Sequence, residues 1–336
     1  MNRPLPDKDN DRKKREEKMK KTIAVILALV LCAAMLAGCG AKKEEGGNKG
    51  EWKPVTVTDD LGREVTIDEE PKNVAAIMGS FADTWVLAGG TLKAAVHDAW
   101  EDFGLDLGED VVDLGKYNAI NLEQLFSAEV DLVIGSANTK KQVDIKDTLE
   151  SAGVKVLYFN VNSFEDYLRM LKVCTDITGR ADLYETNGTA IKAQVEAAIS
   201  KGQAQAAAKG SPKILFVRAA ASTVKAKGSD DTVLGLMLKD LGCTNIADGS
   251  GLLEDLSIEK IIEEDPDMIF ITQQGSDSEG AQKALEDALT GNPAWAGLTA
   301  VKEGRVYMME KRLYHLKPNA LWGESYEKLE AILYGE

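Results

Sequence analysis

Asn121-Leu122-Glu123-Gln124-Leu125-Phe126, four further residues, then Asp131-Leu132-Val133-Ile134 reads as a capped helix feeding a buried strand. The same unit returns as Ser257-Ile258-Glu259-Lys260-Ile261-Ile262, four residues, then Asp267-Met268-Ile269-Phe270. The two copies lie 136 residues apart, with no gap between their motifs. An echo of this kind points to a duplicated α/β lobe.

Around each copy, short apolar runs alternate with helical patterns. The first set of expected strands is Asn73–Met78, Leu92–Val96, Val111–Leu114, Asp131–Ile134 and Lys155–Phe159. The expected helices between them are Asp83–Ala88, Asn121–Ala128, Val143–Ala152 and Phe164–Thr178. Ser163, with Asp166 three residues on, marks an N-cap with an acidic first turn. The second set has strands Lys213–Arg218, Thr223–Ala226, Asn245–Ala247, Met268–Thr272 and Arg305–Met309. Its helices are Asp231–Leu241, Ile258–Glu264, Glu279–Leu289 and Trp322–Leu333. Apolar strands separated by helices imply parallel sheets covered on both faces. Ahead of both, Val55-Thr56-Val57-Thr58 and Glu64-Val65-Thr66-Ile67 alternate around Asp59-Asp60-Leu61-Gly62, a hairpin signal.

Between the sets, Asp182 to Lys209 has no strand-like run and no proline, and is rich in Ala, Gln, Lys and Glu. It predicts one long helix, roughly 25 residues and near 40 Å, with soft spots at Gly188 and Gly202. Gly210-Ser211-Pro212 ends it. The expected organisation is an N-terminal lobe over 53–180, a linker helix over 181–210 and a C-terminal lobe over 211–336. The fold class is α/β: two lobes of parallel sheet flanked by helices, joined by a single long α-helix.

The first 52 residues have a different character. Thr22 to Leu36 is apolar, Lys18, Lys20 and Lys21 precede it, and Leu36-Ala37-Gly38 leads to Cys39. That is a secretory signal, too short for an ordinary membrane span. A cysteine directly after the small pair resembles the bacterial lipoprotein signal, in which the thiol is diacylated and the chain is cut before it. Residues 1–38 are therefore expected to be a signal peptide, with Met19 as an alternative start, and Cys39 the lipidation site. Residues 39–52 read as a flexible tether. The expected location is the extracytoplasmic face of the cell membrane, held there by lipid.

Removing residues 1–38 takes away nine of 40 Lys/Arg and five of 55 Asp/Glu, leaving 31 against 50, a formal charge of −19. Nucleic acid and anionic membrane surfaces need a basic face, so neither is an expected partner. Cys174 and Cys243 lack CxxC or metal spacing and read as small buried hydrophobes. No G-x-S-x-G, H-E-x-x-H, P-loop or G-x-G-x-x-G occurs, and His97 and His315 are the only histidines. The chain is therefore expected to be no enzyme; a carboxylate-based surface hydrolase is the remote alternative.

Several stretches taken in order resemble one family. They are Val57-Thr58-Asp59-Asp60-Leu61-Gly62-Arg63-Glu64-Val65-Thr66 with Pro71-Lys72-Asn73-Val74, and the two echoing units. Asn292-Pro293-Ala294-Trp295 with Ala300-Val301-Lys302-Glu303-Gly304-Arg305-Val306-Tyr307 completes them. From Val55 to about Leu333 the chain resembles the class III solute-binding proteins of ABC importers, which capture ferric siderophores, haem or cobalamin. The resemblance implies a monomer that holds a small metal chelate between its lobes, with no intrinsic cofactor. It also implies delivery to an ABC permease with a cytoplasmic ATPase. Glu123 and Glu259, at matching places in the echo, are then the permease-docking carboxylates. A ferric siderophore is the expected ligand, with cobalamin or another corrinoid, or haem, as alternatives.

Ligands of open α/β sheets sit beyond the carboxyl ends of strands. In the first lobe that rule selects Met78, Ser80, Phe81, Trp100, Tyr117, Asn118, Ser136 and Asn138. In the second it selects Arg218, Lys225, Lys227 and Gln273, with Arg312, His315 and Lys317 from the late loop. The second set is basic in an acidic protein, which suggests an anionic ligand group. Met78 and His315 together would suit an axial haem pair, a minor alternative.

Overall fold

A computed structural model of the chain describes residues 52–230 and 232–335. The signal segment, Cys39 and the tether up to residue 51 lie outside the described residues. Within them, no helix is long and apolar enough to cross a membrane.

The strands are β1 Val55–Thr58, β2 Glu64–Ile67, β3 Val74–Ala76, β4 Ala94–Ala95, β5 Val112–Asp113, β6 Gly115–Lys116 and β7 Ala119–Ile120. They continue as β8 Leu132–Ser136, β9 Lys155–Phe159, β10 Lys213–Ala220, β11 Thr223–Ala226, β12 Thr244–Asn245, β13 Met268–Gln273 and β14 Val306–Met308. One sheet has the order β5-β4-β3-β8-β9, all parallel. The other has the order β11-β10-β13-β14, with β12 also on β10. Its edge strand β11 runs antiparallel to β10, a correction to the expected all-parallel lobe. The turn between β10 and β11 is too short for a parallel crossover, so only a hairpin is possible there.

Both sheets bury two faces, and strand periodicity divides the residues between them. Val74 and Ala76 face one apolar cluster, Ala75 and Ile77 another. Ile214 and Phe216 likewise part from Leu215 and Val217. The cluster containing Val74 is the one containing Ile214. It runs through Tyr167, Ile191, Val195 and Trp322, so the two halves share a continuous core. Each half adds a private core beneath its outer helices.

The linking segment is helical from Ala181 to Lys209, with one π turn at Glu185–Thr189. Its glycines are contact points rather than soft spots. A Cβ on Gly202 would lie 2.7 Å from Leu241 Cδ2, and one on Gly188 3.3 Å from Leu168 and Leu171. Both glycines let the helix lie close against its neighbours.

The echo recurs in the local hydrogen bonding. Asn121 accepts a hydrogen bond from the Gln124 amide at 3.1 Å, and Ser257 from the Lys260 amide at 3.4 Å. Each helix is followed by a non-glycine residue in the left-handed region, Glu129 (φ 51°) and Asp265 (φ 40°). Asp131 then accepts from the Lys72 and Asn73 amides, and Asp267 from the Lys213 amide. In each half an aspartate thus clips an interior strand to the start of its neighbour.

Two expected helices differ most. The one expected at Asp83–Ala88 begins at Gly79 and ends at Leu87. Its N-cap Met78 provides no side-chain hydrogen bond, so the start carries no capping signal. The one expected at Val143–Ala152 is two short pieces, Lys140–Val143 and Lys146–Ser151.

Candidate functional site at the seam between the two halves

Arg218 lies near the carboxyl end of β10, in register with Thr272 on β13, so the two side chains are neighbours on one face. Arg218 Nε and Thr272 Oγ1 are buried and find no hydrogen-bond partner among the described residues. Burial holds the Arg218 guanidinium below its ordinary pKa, and among the described residues no carboxylate offsets it. Lys317 is also pushed down, first by burial and then by the charge of Arg218. His315 Nδ1 is a third buried atom without a partner among the described residues. Its imidazole is lowered to about 4, by burial first, then by Arg218 and Lys311. Two cations and a neutral imidazole thus converge with orphaned donors, an arrangement that is costly unless an anion completes it.

A clasp across the two halves fixes the late loop that carries His315 and Lys317. Arg312 donates to Asp83 at 2.9 Å and to the carbonyls of Lys317 and Pro318 at 2.9 and 3.1 Å. Its guanidinium lies 4.5 Å from the centre of the Phe103 ring. Asn319, held at φ 55°, donates to the Ser80 carbonyl at 2.8 Å and to Asp83 at 2.9 Å. Lys311 pairs with Asp102 at 2.5 Å. Burial raises the Asp83 carboxyl, while Asn319 and Arg312 pull it back down. Arg312, expected on the ligand, is thus spent on Asp83, Phe103 and the loop's own carbonyls. It positions Lys317.

The first half presents satisfied polar groups. Gln142, fully buried, accepts from the Ser136 amide at 2.7 Å and donates to the carbonyls of Ile77 and Tyr117. Asn138 donates its side-chain amide to Asn160 and its backbone amide to Ser136 Oγ at 3.3 Å. Near the seam Ser80 Oγ and Asp98 Oδ1 are exceptions, both buried without a partner among the described residues. Gly79 must be glycine here. A Cβ would stand 2.8 Å from Asp98 Oδ2, which accepts the Gly79 amide at 3.0 Å. Phe81 is 1 % exposed and packs edge-on against Phe159 in the core, so its ring is closed to a ligand. Met78 and Trp100 are half-buried against that core. Tyr117 and Asn118 are exposed in the β6–β7 hairpin.

The model of the family described as "Periplasmic binding protein" matches residues 74–313. The chain belongs to that family. It is a solute-binding protein and not an enzyme. Over 302 residues this binding protein is 27% identical to the ABC transporter substrate-binding lipoprotein YvrC of Bacillus subtilis, covering 88% of this chain and 92% of that one. Over 297 residues it is 27% identical to the Fe(3+)-citrate-binding protein YfmC of Bacillus subtilis, covering 85% and 89%. Its fold is similar to that of Staphylococcus aureus SirA complexed with staphyloferrin B. The TM-score there is 0.63 at 20% identity, over 83% of this chain and 97% of that one.

The remaining expected site residues of the binding protein are not all at the seam. Lys225 is exposed on β11, beside Arg218 in register. The Lys227 carbonyl accepts from Asn245 at 2.7 Å, and Gln273 is half-buried at the end of β13. Glu123 and Glu259 are exposed, each at the second position of its short helix. Glu259 accepts from the Ser257 hydroxyl at 2.7 Å. Asp83, Asp98, Asp102, Lys311 and Asn319 were not among the residues the sequence singled out. Each lies inside or beside a segment read as helix or loop; the partners of Asp83, Asp102, Lys311 and Asn319 lie more than 200 residues away, and that of Asp98, the Gly79 amide, lies 19 residues back. One signal was present: Asp83 sits where an apolar helix would bury it, and a buried carboxylate needs a cation.

Proposed function

We propose that the chain is the substrate-binding lipoprotein of an ABC importer that captures an anionic ferric chelate, of the ferric siderophore class, at Arg218, Lys317 and His315. The observation that carries this reading is the cationic pair Arg218 and Lys317, part-buried in a chain of formal charge −15 with no carboxylate offsetting either among the described residues. Two uncompensated cations are worth their desolvation only if a ligand anion closes on them. The iron-citrate-binding relative and the fold shared with a siderophore binder support iron as the cargo. Thr272 Oγ1 and His315 Nδ1 supply neutral partners beside the charges. Ser80, Trp100, Tyr117 and Asn138 are the candidates to close the ligand's other side. Cys39 carries the lipid, and Glu123 and Glu259 dock the protein on its permease.

Titration with ferric citrate, a catecholate ferric siderophore, haem and cobalamin, followed by absorption and native mass spectrometry, tests the reading. A ferric chelate is expected to bind one to one. Binding of cobalamin alone, or of haem alone, replaces the proposed ligand. For the anchor, Cys39→Ala is expected to release the protein from the membrane; an uncleaved, membrane-retained variant refutes the lipid assignment.

A further inference from the structure

Phe126 and Ile262 are among the few large apolar side chains left exposed among the described residues, at 38% and 42%. Scattered exposed hydrophobics are ordinary. These two occupy the same place in the echo, 136 residues apart, at the sixth position of each unit. In each short helix one apolar residue is driven fully inward, Leu125 in one and Ile261 in the other. The residue after it is therefore turned outward. It shares its face with the carboxylate three positions earlier, Glu123 or Glu259. Glu123 makes no side-chain hydrogen bond or ion pair among the described residues, and Glu259 is held only by the Ser257 hydroxyl. Caps, left-handed exits and strand clips match around both helices, so the two acid-plus-apolar pairs stand on equivalent frames.

We propose that Phe126 and Ile262 are apolar docking knobs for the transmembrane permease, each seated beside a docking carboxylate. The inference rests on the importer reading above and extends it. The partner it fits is a membrane protein that offers a cation beside an apolar socket twice, on two related subunits. An acid alone would give steering and register; an apolar knob in a desolvated socket adds the slow dissociation that exposed ion pairs lack. The two knobs differ in shape, one a flat ring and one a branched aliphatic.

The full chain, made in its host with p-benzoylphenylalanine placed singly at 123, 126, 259, 262 or the exposed control 308, is irradiated in intact cells. Products at 126 and 262 that contain a polytopic permease, with none at 308, are expected. The Phe126→Ser, Ile262→Ser double variant should then bind that permease in detergent at least ten-fold more weakly, with an unchanged thermal midpoint. Permease products at 123 and 259 but not at 126 and 262 overturn the knobs and leave the docking reading standing. A permease product at only one of 126 and 262 overturns the two-point arrangement. Products with a second copy of this chain, or with its own residues 1–50, overturn it too. No permease product at any of the four positions overturns the importer reading itself.

Discussion

The two halves share a frame and differ in chemistry where their strands end. Beyond β8, Gln142 gathers the Ser136 amide and the Ile77 and Tyr117 carbonyls, leaving that corner saturated. Beyond β10 and β13, Arg218, Thr272, Lys317 and His315 are brought together with donors to spare. Duplication explains the caps, the left-handed exits and the aspartate clips, which recur in both. It does not explain the charge. The asymmetry is where a ligand's polarity would be read, with the first half, apart from Ser80 Oγ and Asp98 Oδ1, left to shape and contact.

The clasp is what lets two unlike halves act as one site, and breaking it should have the largest effect. Asp83→Ala strips the carboxylate from Arg312 and Asn319 in a buried setting. Removing one partner of a buried pair costs about 3–5 kcal/mol. Chemical denaturation should show a loss of that order, with ligand affinity falling as the loop bearing Lys317 loosens. A variant as stable as wild type would mean that the shared core alone unites the halves.

Next comes the charged corner itself. Arg218→Met keeps the volume and removes one of two mutually repelling cations. Binding of the ferric chelate should weaken thirty-fold or more, about 2 kcal/mol. The unliganded protein should be no less stable than wild type, since the lost charge had no partner among the described residues. A stability loss without a binding loss would make Arg218 a structural residue and erase the contrast between the halves.

The frame was legible in the sequence because it is periodic. Strand β9, the helix Phe164–Thr178 and the helix Ile258–Glu264 carry the expected bounds. Ser163 forms a capping box with Asp166, a local signal read from four residues. Arg218, His315 and Lys317 were legible as candidates because strand ends and a basic loop in an acidic chain stand out. The clasp was not. Asp83 and Arg312 are 229 residues apart, and neither has a local pattern that names the other. Phe81 misled for a similar reason: position after a strand says nothing about which way a ring turns, and here it turns into the core.

His315 gives a pH signature that only the charged corner should show. Its imidazole stands at about 4 in the fold, below the 6.5 of an unburied histidine, because burial, Arg218, Lys311 and Lys317 disfavour the charged form and Asp102 only partly opposes them. The unfolded chain therefore takes up the proton first as pH falls. The stability tied to the neutral ring is complete above pH 6.5, declines toward pH 4 and is flat below it. Its size is on the order of 3 kcal/mol. Midpoints measured across that range should fall less for His315→Asn than for wild type. Parallel curves would mean that the ring titrates normally and that the corner is open to water.

Lys225→Ala should have the smallest effect, and it sharpens the contrast most. Lys225 is the cross-strand partner of Arg218, so both project from the same face of the sheet. They carry the same charge and differ in surroundings: Arg218 is part-buried with an orphaned Nε, whereas Lys225 is exposed on the edge strand. An exposed cation keeps its water, and its pairing with a ligand anion is screened by salt, so its removal should cost less than about 0.5 kcal/mol. The on-rate should slow slightly at low salt, and the affinity at physiological salt should stay within about three-fold of wild type. Titrations of Arg218→Met and Lys225→Ala at two ionic strengths separate the cases. If Lys225→Ala weakens binding as much as Arg218→Met does, burial is not what distinguishes the charged corner. The ligand would then lie across the open edge of the second sheet, and the seam between the halves would lose its claim to the site.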